Sequence, residues 1–291
     1  MTQLCLFVER MSYWKSFLLH VIQMNMKKYL SYCWAIVLFV LFSCSNEEYV
    51  ENQNMILPKV LKTIYPDSPS DNFETNIVYN ENKIVKVSNK FERIDYSYSG
   101  NFISAEVKYN IQNGKEVKYS ETFYEYENES LKTVSKILNG EQMRYVYSKN
   151  DDGSINMESY IFDTQTKKES KNPGLNVLTI DNGNLINMVS EWGYNDVITC
   201  SRFQYDKYNN AFKNVLGFNL LLGQEIFGSE INISSFNNLT RHSYSPIVSG
   251  SIVFEPYSCT MVYEYNKKSY PIKKITYDYA GRIINITEYE Y

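Results

Sequence analysis

Ile94-Asp95-Tyr96-Ser97-Tyr98, followed by Ser99-Gly100-Asn101 and a fresh apolar Phe102, is the stretch that decides the fold. Polar and apolar residues alternate with period two, the signature of a β-strand, because successive side chains on a strand point to opposite faces. The frame recurs as Met143-Arg144-Tyr145-Val146-Tyr147, Met261-Val262-Tyr263-Glu264-Tyr265 and Ile275-Thr276-Tyr277-Asp278-Tyr279. Thr122-Phe123-Tyr124-Glu125-Tyr126 and Thr287-Glu288-Tyr289-Glu290-Tyr291 repeat it with Thr in the leading place. In every copy the two tyrosines share a face, and Ile94, Met143, Met261 and Ile275 share it with them. That face is expected to be buried, each ring contributing large area and needing a partner only for its hydroxyl. The opposite face carries mostly charged or small polar residues and is expected to be wet, as in antiparallel sheet with one solvated side.

Turn residues separate the copies. Ser99-Gly100-Asn101, Asn150-Asp151-Asp152-Gly153 and Ala280-Gly281-Arg282 each precede a new apolar position, so consecutive strands are joined as hairpins. Weaker copies lie at Tyr79-Asn80-Glu81-Asn82-Lys83-Ile84 and Ile180-Asp181-Asn182-Gly183-Asn184-Leu185. Their unequal spacing argues against a solenoid, whose period would be fixed. The expected fold is all-β: an antiparallel meander of roughly a dozen or more strands over residues 57–291, too wide to stay flat, forming a curled sheet or barrel-like fold. Two stretches interrupt the pattern. Residues 163–174 are polar and read as a surface loop. Residues 218–256 read as a short helix or a long connection packed over a barrel end, and are the first place to look for a ligand.

The N-terminal region reads as an export leader. An apolar run at residues 29–43 follows Lys27-Lys28 and precedes Cys44, the three-part layout of a signal peptide. Fifteen residues of helix reach roughly 22 Å, short of the ~30 Å hydrocarbon core, so a removable leader fits better than a permanent span. Residues 1–25, upstream of Met26-Lys27-Lys28, read as an over-extended start. Leu41, Ser43 and Cys44 resemble the lipobox of bacterial lipoproteins, in which the cysteine thiol receives a diacylglyceryl group. Asn46-Glu47-Glu48 resembles the surface-export signal of Bacteroidetes lipoproteins. The expected layout is a leader at 1–43, lipidated Cys44 with a tether to residue 56, and one domain from 57 onward.

Composition removes several functions. Processing takes away four cations (Arg10, Lys15, Lys27, Lys28) and one anion (Glu9), moving the formal charge from −4 to −7. An acidic chain lacks the clustered Lys and Arg that phosphate backbones require, so no nucleic-acid partner is expected. Cys200 and Cys259 remain besides Cys44, and an oxidising exterior permits them to pair. Two distant cysteines and His242 do not make zinc spacing, and no metal or cofactor is expected. Glu121, Glu125, Glu127 and Glu129 could supply a carboxylate pair, but their shared parity opposite Tyr124 and Tyr126 reads as a solvated face. His242, in Thr240-Arg241-His242-Ser243, has no nucleophile elbow beside it, and no catalytic residue is assigned.

Leu57-Pro58-Lys59, the tyrosine hairpins, the segment from Tyr205 through Asn214, and Tyr263-Glu264-Tyr265-Asn266 leading to Tyr270-Pro271-Ile272-Lys273 resemble a family of Bacteroidetes lipoproteins of unassigned function described with a porin-like fold. Tyr277-Asp278-Tyr279-Ala280-Gly281-Arg282-Ile283 also resembles the YD-repeat class. Ala211 departs from the proline of the family's pattern, and the family supplies no activity to carry over. The functional expectation is a lipid-anchored outer-membrane protein, surface-exposed or facing the periplasm. It would act as a binding or structural module with a glycan or peptide ligand. A membrane-spanning β-barrel and a carbohydrate-active hydrolase stand as alternatives. An Asn285 and Thr287 face opposite Ile284 and Ile286 weakens the first of these.

Overall fold

The computed structural model describes residues 55–192, 197–221, 224, 227, 234–248, 251–252 and 257–291. The leader, Cys44 and the tether as far as residue 54 lie outside the described residues. The strands are β1 (Val60–Ile64), β2 (Phe73–Asn80), β3 (Lys83–Ser88), β4 (Glu92–Ser99), β5 (Phe102–Gln112), β6 (Lys115–Glu127), β7 (Ser130–Leu138), β8 (Glu141–Lys149) and β9 (Ile155–Asp163). They continue as β10 (Lys168–Asp181), β11 (Asn184–Trp192), β12 (Val197–Asn209), β13 (Asn237–Val248), β14 (Ser251–Ile252), β15 (Tyr257–Tyr265), β16 (Pro271–Tyr277) and β17 (Ile283–Glu290). Each pairs antiparallel with the next, β13 reaching β15 directly and β14 being a two-residue strand on the end of β13. β1 pairs with both β2 and β17, so the meander closes into a barrel of 16 strands. Closure removes the free edges that so wide a sheet would otherwise expose.

Local chemistry sets the hairpins. Asn113-Gly114, Asn139-Gly140 and Asn182-Gly183 all have positive φ at both positions, the two-residue turn whose twist matches the strands it joins. Gly183 is constrained a second time, because a Cβ there would sit 2.3 Å from the Phe236 ring. At the turn after β16, Asp278 accepts from the backbone N–H of Ala280 and of Arg282, both at 2.9 Å, and from the Arg282 Nε at 2.8 Å.

The barrel has two unlike ends. The chain enters β1 at the base, where Lys59 N–H donates to Glu290 O at 2.6 Å and the Tyr79 hydroxyl donates to Pro58 O at 2.9 Å. The segment after β12 folds into that end as a plug. Ala211, Phe212, Val215, Phe218, Leu221 and Phe227 are all buried in it, against Ile84, Ile94, Ile103, Tyr124, Val134 and Tyr147 of the wall. Burial of each such side chain is worth roughly 1.5–3 kcal/mol. Polar ties fix the plug: Leu216 N–H to Asn82 O at 2.9 Å, the Tyr98 hydroxyl to Leu216 O at 3.1 Å, and Gln224 Nε2 to the Tyr147 hydroxyl at 2.5 Å. A second, smaller core of Leu178, Leu185, Phe203 and Leu239 lines the inner face of β10–β13.

Five of the six tyrosine doublets point inward: Tyr96 and Tyr98, Tyr124 and Tyr126, Tyr145 and Tyr147, Tyr263 and Tyr265, Tyr289 and Tyr291. The sixth is a correction. Tyr277 pairs with Thr260 on the outer face, Tyr279 is 70% exposed in the following turn, and Ile275 also faces outward, while Lys274 and Thr276 point in. The five inward doublets sit on strands that run down into the plugged base, whereas β16 runs up to the mouth, where no plug waits to cover a ring.

Two further expectations are revised. Residues 163–174 form the tip of the β9–β10 hairpin and the first half of β10, with a register shift between Lys171 and Leu175. The connection of 218–256 contains the strand β13, hydrogen-bonded to β12 and β15, while the plug already begins near Asn210. Both strands lack strong alternation for one reason. Lys168–Lys171 are exposed at the rim, and β13 turns His242, Tyr244 and Pro246 toward a wide interior that does not require apolar side chains.

The outer wall mixes charged side chains with exposed apolar ones such as Val78, Phe123 and Val262. One cross-strand row runs Val78, Lys86, Asp95, Val107, Glu121, Ile137, and another runs Glu74, Lys62, Glu288, Lys273, Glu264. Outward side chains at or beside strand midpoints include Asp95, Glu121, Arg144 and Glu158. Ion pairs lace them together, among them Arg144–Glu169 at 2.5 Å and Lys171–Glu158 at 2.6 Å.

Candidate functional site

The inner surface is the candidate site, because the closed wall, the sealed base and an inner face open to solvent at the other end together make a container. Val117, Ile161, Tyr244 and Tyr257 point inward by register, yet each is more than a third exposed, and all four lie toward the mouth. Deeper in, inward side chains such as Thr122 and Thr276 are buried, so the opening lies at the mouth.

Between mouth and plug the inner wall is a belt of small hydroxyls. Thr63, Thr75, Ser120, Thr122, Thr199, Ser201, Thr276 and Thr287 all face in and are buried. On the β4–β7 side one row reads Tyr96, Glu106, Thr122, Lys136. Glu106 is 7% exposed; its Oε1 accepts from the Thr122 hydroxyl at 3.1 Å and its Oε2 has no partner. Burial pushes its pKa up to about 7, opposed by the Thr122 hydrogen bond and by smaller contributions from Lys136, Tyr124 and Lys108. One tier higher, Lys108 forms an ion pair with Glu92. Burial likewise pushes the hydroxyls of Tyr96 and Tyr124 up, keeping both neutral hydrogen-bonding groups.

The opposite side, β12–β17, carries a different set. His242 stacks on Phe203 with ring centroids 4.7 Å apart, and its Nε2 is buried without a partner. Desolvation lowers its pKa, so the imidazole is neutral near pH 7. Cys259 lies beside it in register, with its thiol pushed up by burial. A tier below, Met261, Thr276 and Asn285 face in, and the Asn285 Oδ1 is a further buried acceptor without a partner. With the Tyr126 hydroxyl, these complete the four orphaned buried side-chain atoms among the described residues, and all four belong to inward-facing side chains.

Cys200 and Cys259 are both free thiols. Cys200 faces outward beside Asn187, Cys259 faces inward, and β13 runs between their strands, so the pairing that the sequence allows is not formed. Glu121 and Glu125 lie on the outer wall, Glu129 in the β6–β7 turn, and Glu127 pairs with Lys132 at 3.1 Å. The Asn150–Gly153 stretch is a hairpin turn in which the Asp152 carboxylate accepts from Ser154 N–H at 2.9 Å. Among the described residues no three His, Cys, Asp or Glu are grouped to hold a metal. Cys44 lies outside the described residues. Sequence reading did not single out Glu106, Lys136 or Asn285 as lumen groups. The signal was present as polar residues at the inward parity of apolar strands.

No family model matches the chain, and no curated protein matches it. Among solved structures it is similar to a porin-like protein from Bacteroides vulgatus, at 13% identity over 81% of this chain and 99% of that one, with a TM-score of 0.47. A porin-like protein from Bacteroides uniformis is similar at 9% identity over 80% of this chain and 96% of that one, TM-score 0.43. A DUF3836 family protein from Parabacteroides distasonis is similar at 19% identity over 30% of this chain and 86% of that one, TM-score 0.26.

Proposed function

We propose that this protein is a lipid-anchored, water-exposed β-barrel of the outer membrane, displayed at the cell surface, that binds a small hydrophilic ligand in its lumen and catalyses no reaction. The observation that carries the binding reading is the container itself: a plugged base, a polar inner belt and inward side chains exposed at the mouth. A diacylated and N-acylated Cys44 would supply stable attachment, since one acyl chain holds only marginally. Substituting Cys44 with Ala should move the protein from the membrane fraction to the soluble one; undiminished membrane fractionation would defeat the anchor.

A wall embedded in lipid is the second reading, resting on strand number and closure. Against it stand the outward charges at mid-strand, since a Lys or Arg facing lipid at the bilayer midplane costs about 2–4 kcal/mol.

A further inference from the structure

Resting on the lumen-binding reading, we propose that the β13–β17 side of the mouth is a binding site for a neutral saccharide, which stacks on a tyrosine rim, donates a hydroxyl hydrogen bond to Asn285 Oδ1 and exchanges one with His242 Nε2. Tyr244 and Tyr257 are register partners on the inner face, 37% and 46% exposed, and Tyr279, 70% exposed, meets Tyr257 with ring centroids 6.1 Å apart. Three exposed rings at the opening of a barrel offer flat apolar faces with hydroxyls at their edges, the surface that the C–H face of a pyranose covers.

The chemistry below the rim selects the class. His242 lies two residues deeper than Tyr244 on the same face, and Asn285 a tier deeper again, its register partner Thr276 facing Met261. Asn285 Oδ1 accepts, whereas Nε2 of a neutral His242 accepts or donates according to its tautomer, so a ligand group able to do both fits the pair. The inward charge one tier below on β16 is the cation Lys274, which does not favour an ammonium donor there. Hydroxyl groups, which both donate and accept, satisfy either state of His242 together with Asn285 and can still accept from Thr276. A peptide captured by strand addition would need an unpaired edge, and closure of β1 onto β17 leaves none there.

The test is titration calorimetry of the folded barrel with maltotriose, cellotriose, mannotriose and chitotriose, with trialanine and trilysine as the competing class. The expected result is binding of at least one trisaccharide, weakened about tenfold or more by Tyr257→Ala and by Asn285→Ala. Tyr257→Trp should retain binding, and circular dichroism of each variant reports that the barrel is intact. Because Tyr257 is half-exposed, its replacement leaves the core untouched. Trisaccharide binding indifferent to Tyr257→Ala, or binding of a tripeptide in its place, overturns this site while the lumen reading stands. Failure of every probe to bind overturns both.

Discussion

The base and the mouth of the barrel are built by the same sixteen strands, yet an inward side chain means opposite things at the two ends. At the base, inward tyrosines are covered and, Tyr126 apart, several have their hydroxyls engaged: Tyr205 donates to Leu185 O at 2.8 Å, Tyr263 to Leu239 O at 2.9 Å and Tyr291 to Pro271 O at 2.7 Å. At the mouth, Tyr244 and Tyr257 point the same way and remain half-exposed. The difference teaches that strand alternation assigns a face, while burial of that face depends on what else reaches it. Here the plug reaches one end.

The strongest way to break the contrast is to remove the plug's centre. Phe218 is 1% exposed and packs near Tyr96, Phe212 and Phe227. Phe218→Ala should cost about 3–5 kcal/mol, read as a lowered urea midpoint, with protection of base amides falling toward that of the mouth. A loss under 1 kcal/mol would mean that the plug does not hold the base together.

Between the ends, Glu106 gives a pH test. Its folded pKa of about 7 stands above the ordinary value of 4.5, so the folded state binds the proton more tightly than the unfolded state does. Stability is therefore greatest below about pH 4.5 from this group and is lost as pH rises from there through about 7, by about 3 kcal/mol in all. Glu106→Gln should flatten that part of the curve and be the more stable protein above pH 7. Equal pH dependence in both proteins would refute the buried-carboxylate account.

The smallest expected effect sharpens the comparison ring by ring. Tyr98 accepts from Ile84 N–H at 3.2 Å and donates to Leu216 O at 3.1 Å, tying wall to plug. Tyr98→Phe should cost about 1–2 kcal/mol in thermal or urea unfolding. Tyr279→Phe at the mouth should fall within about 0.5 kcal/mol of the parent, as surface changes do. Similar losses at both would erase the distinction between the ends.

Much of this architecture was legible in the residues. The Tyr-x-Tyr frames located β4, β6, β8, β15 and β17, and Gly100, Gly153 and Gly281 marked the turns beside them. Asn113-Gly114 and Asn139-Gly140 carried the same information for the β5–β6 and β7–β8 hairpins. β13 escaped notice because its inward residues, His242, Tyr244 and Pro246, face a lumen rather than a packed core and leave no apolar period to read. The inward polar groups were illegible for a related reason. Glu106 looks like one more charge on a hairpin until Tyr96 and Thr122 are placed beside it in register.

The sequence by itself determined most of the strands, their hairpin joints and the two faces of most of them, because alternation and turn chemistry act over a few residues and need no distant partner. Only the tertiary structure decided that β1 meets β17, that the segment after β12 folds into one end, and that Ile275 and Tyr277 look outward while Lys274 looks in. Those outcomes depend on contacts between residues up to 230 positions apart, as in the pairing of Val60 with Glu290, and no local period encodes which end of a barrel will be filled.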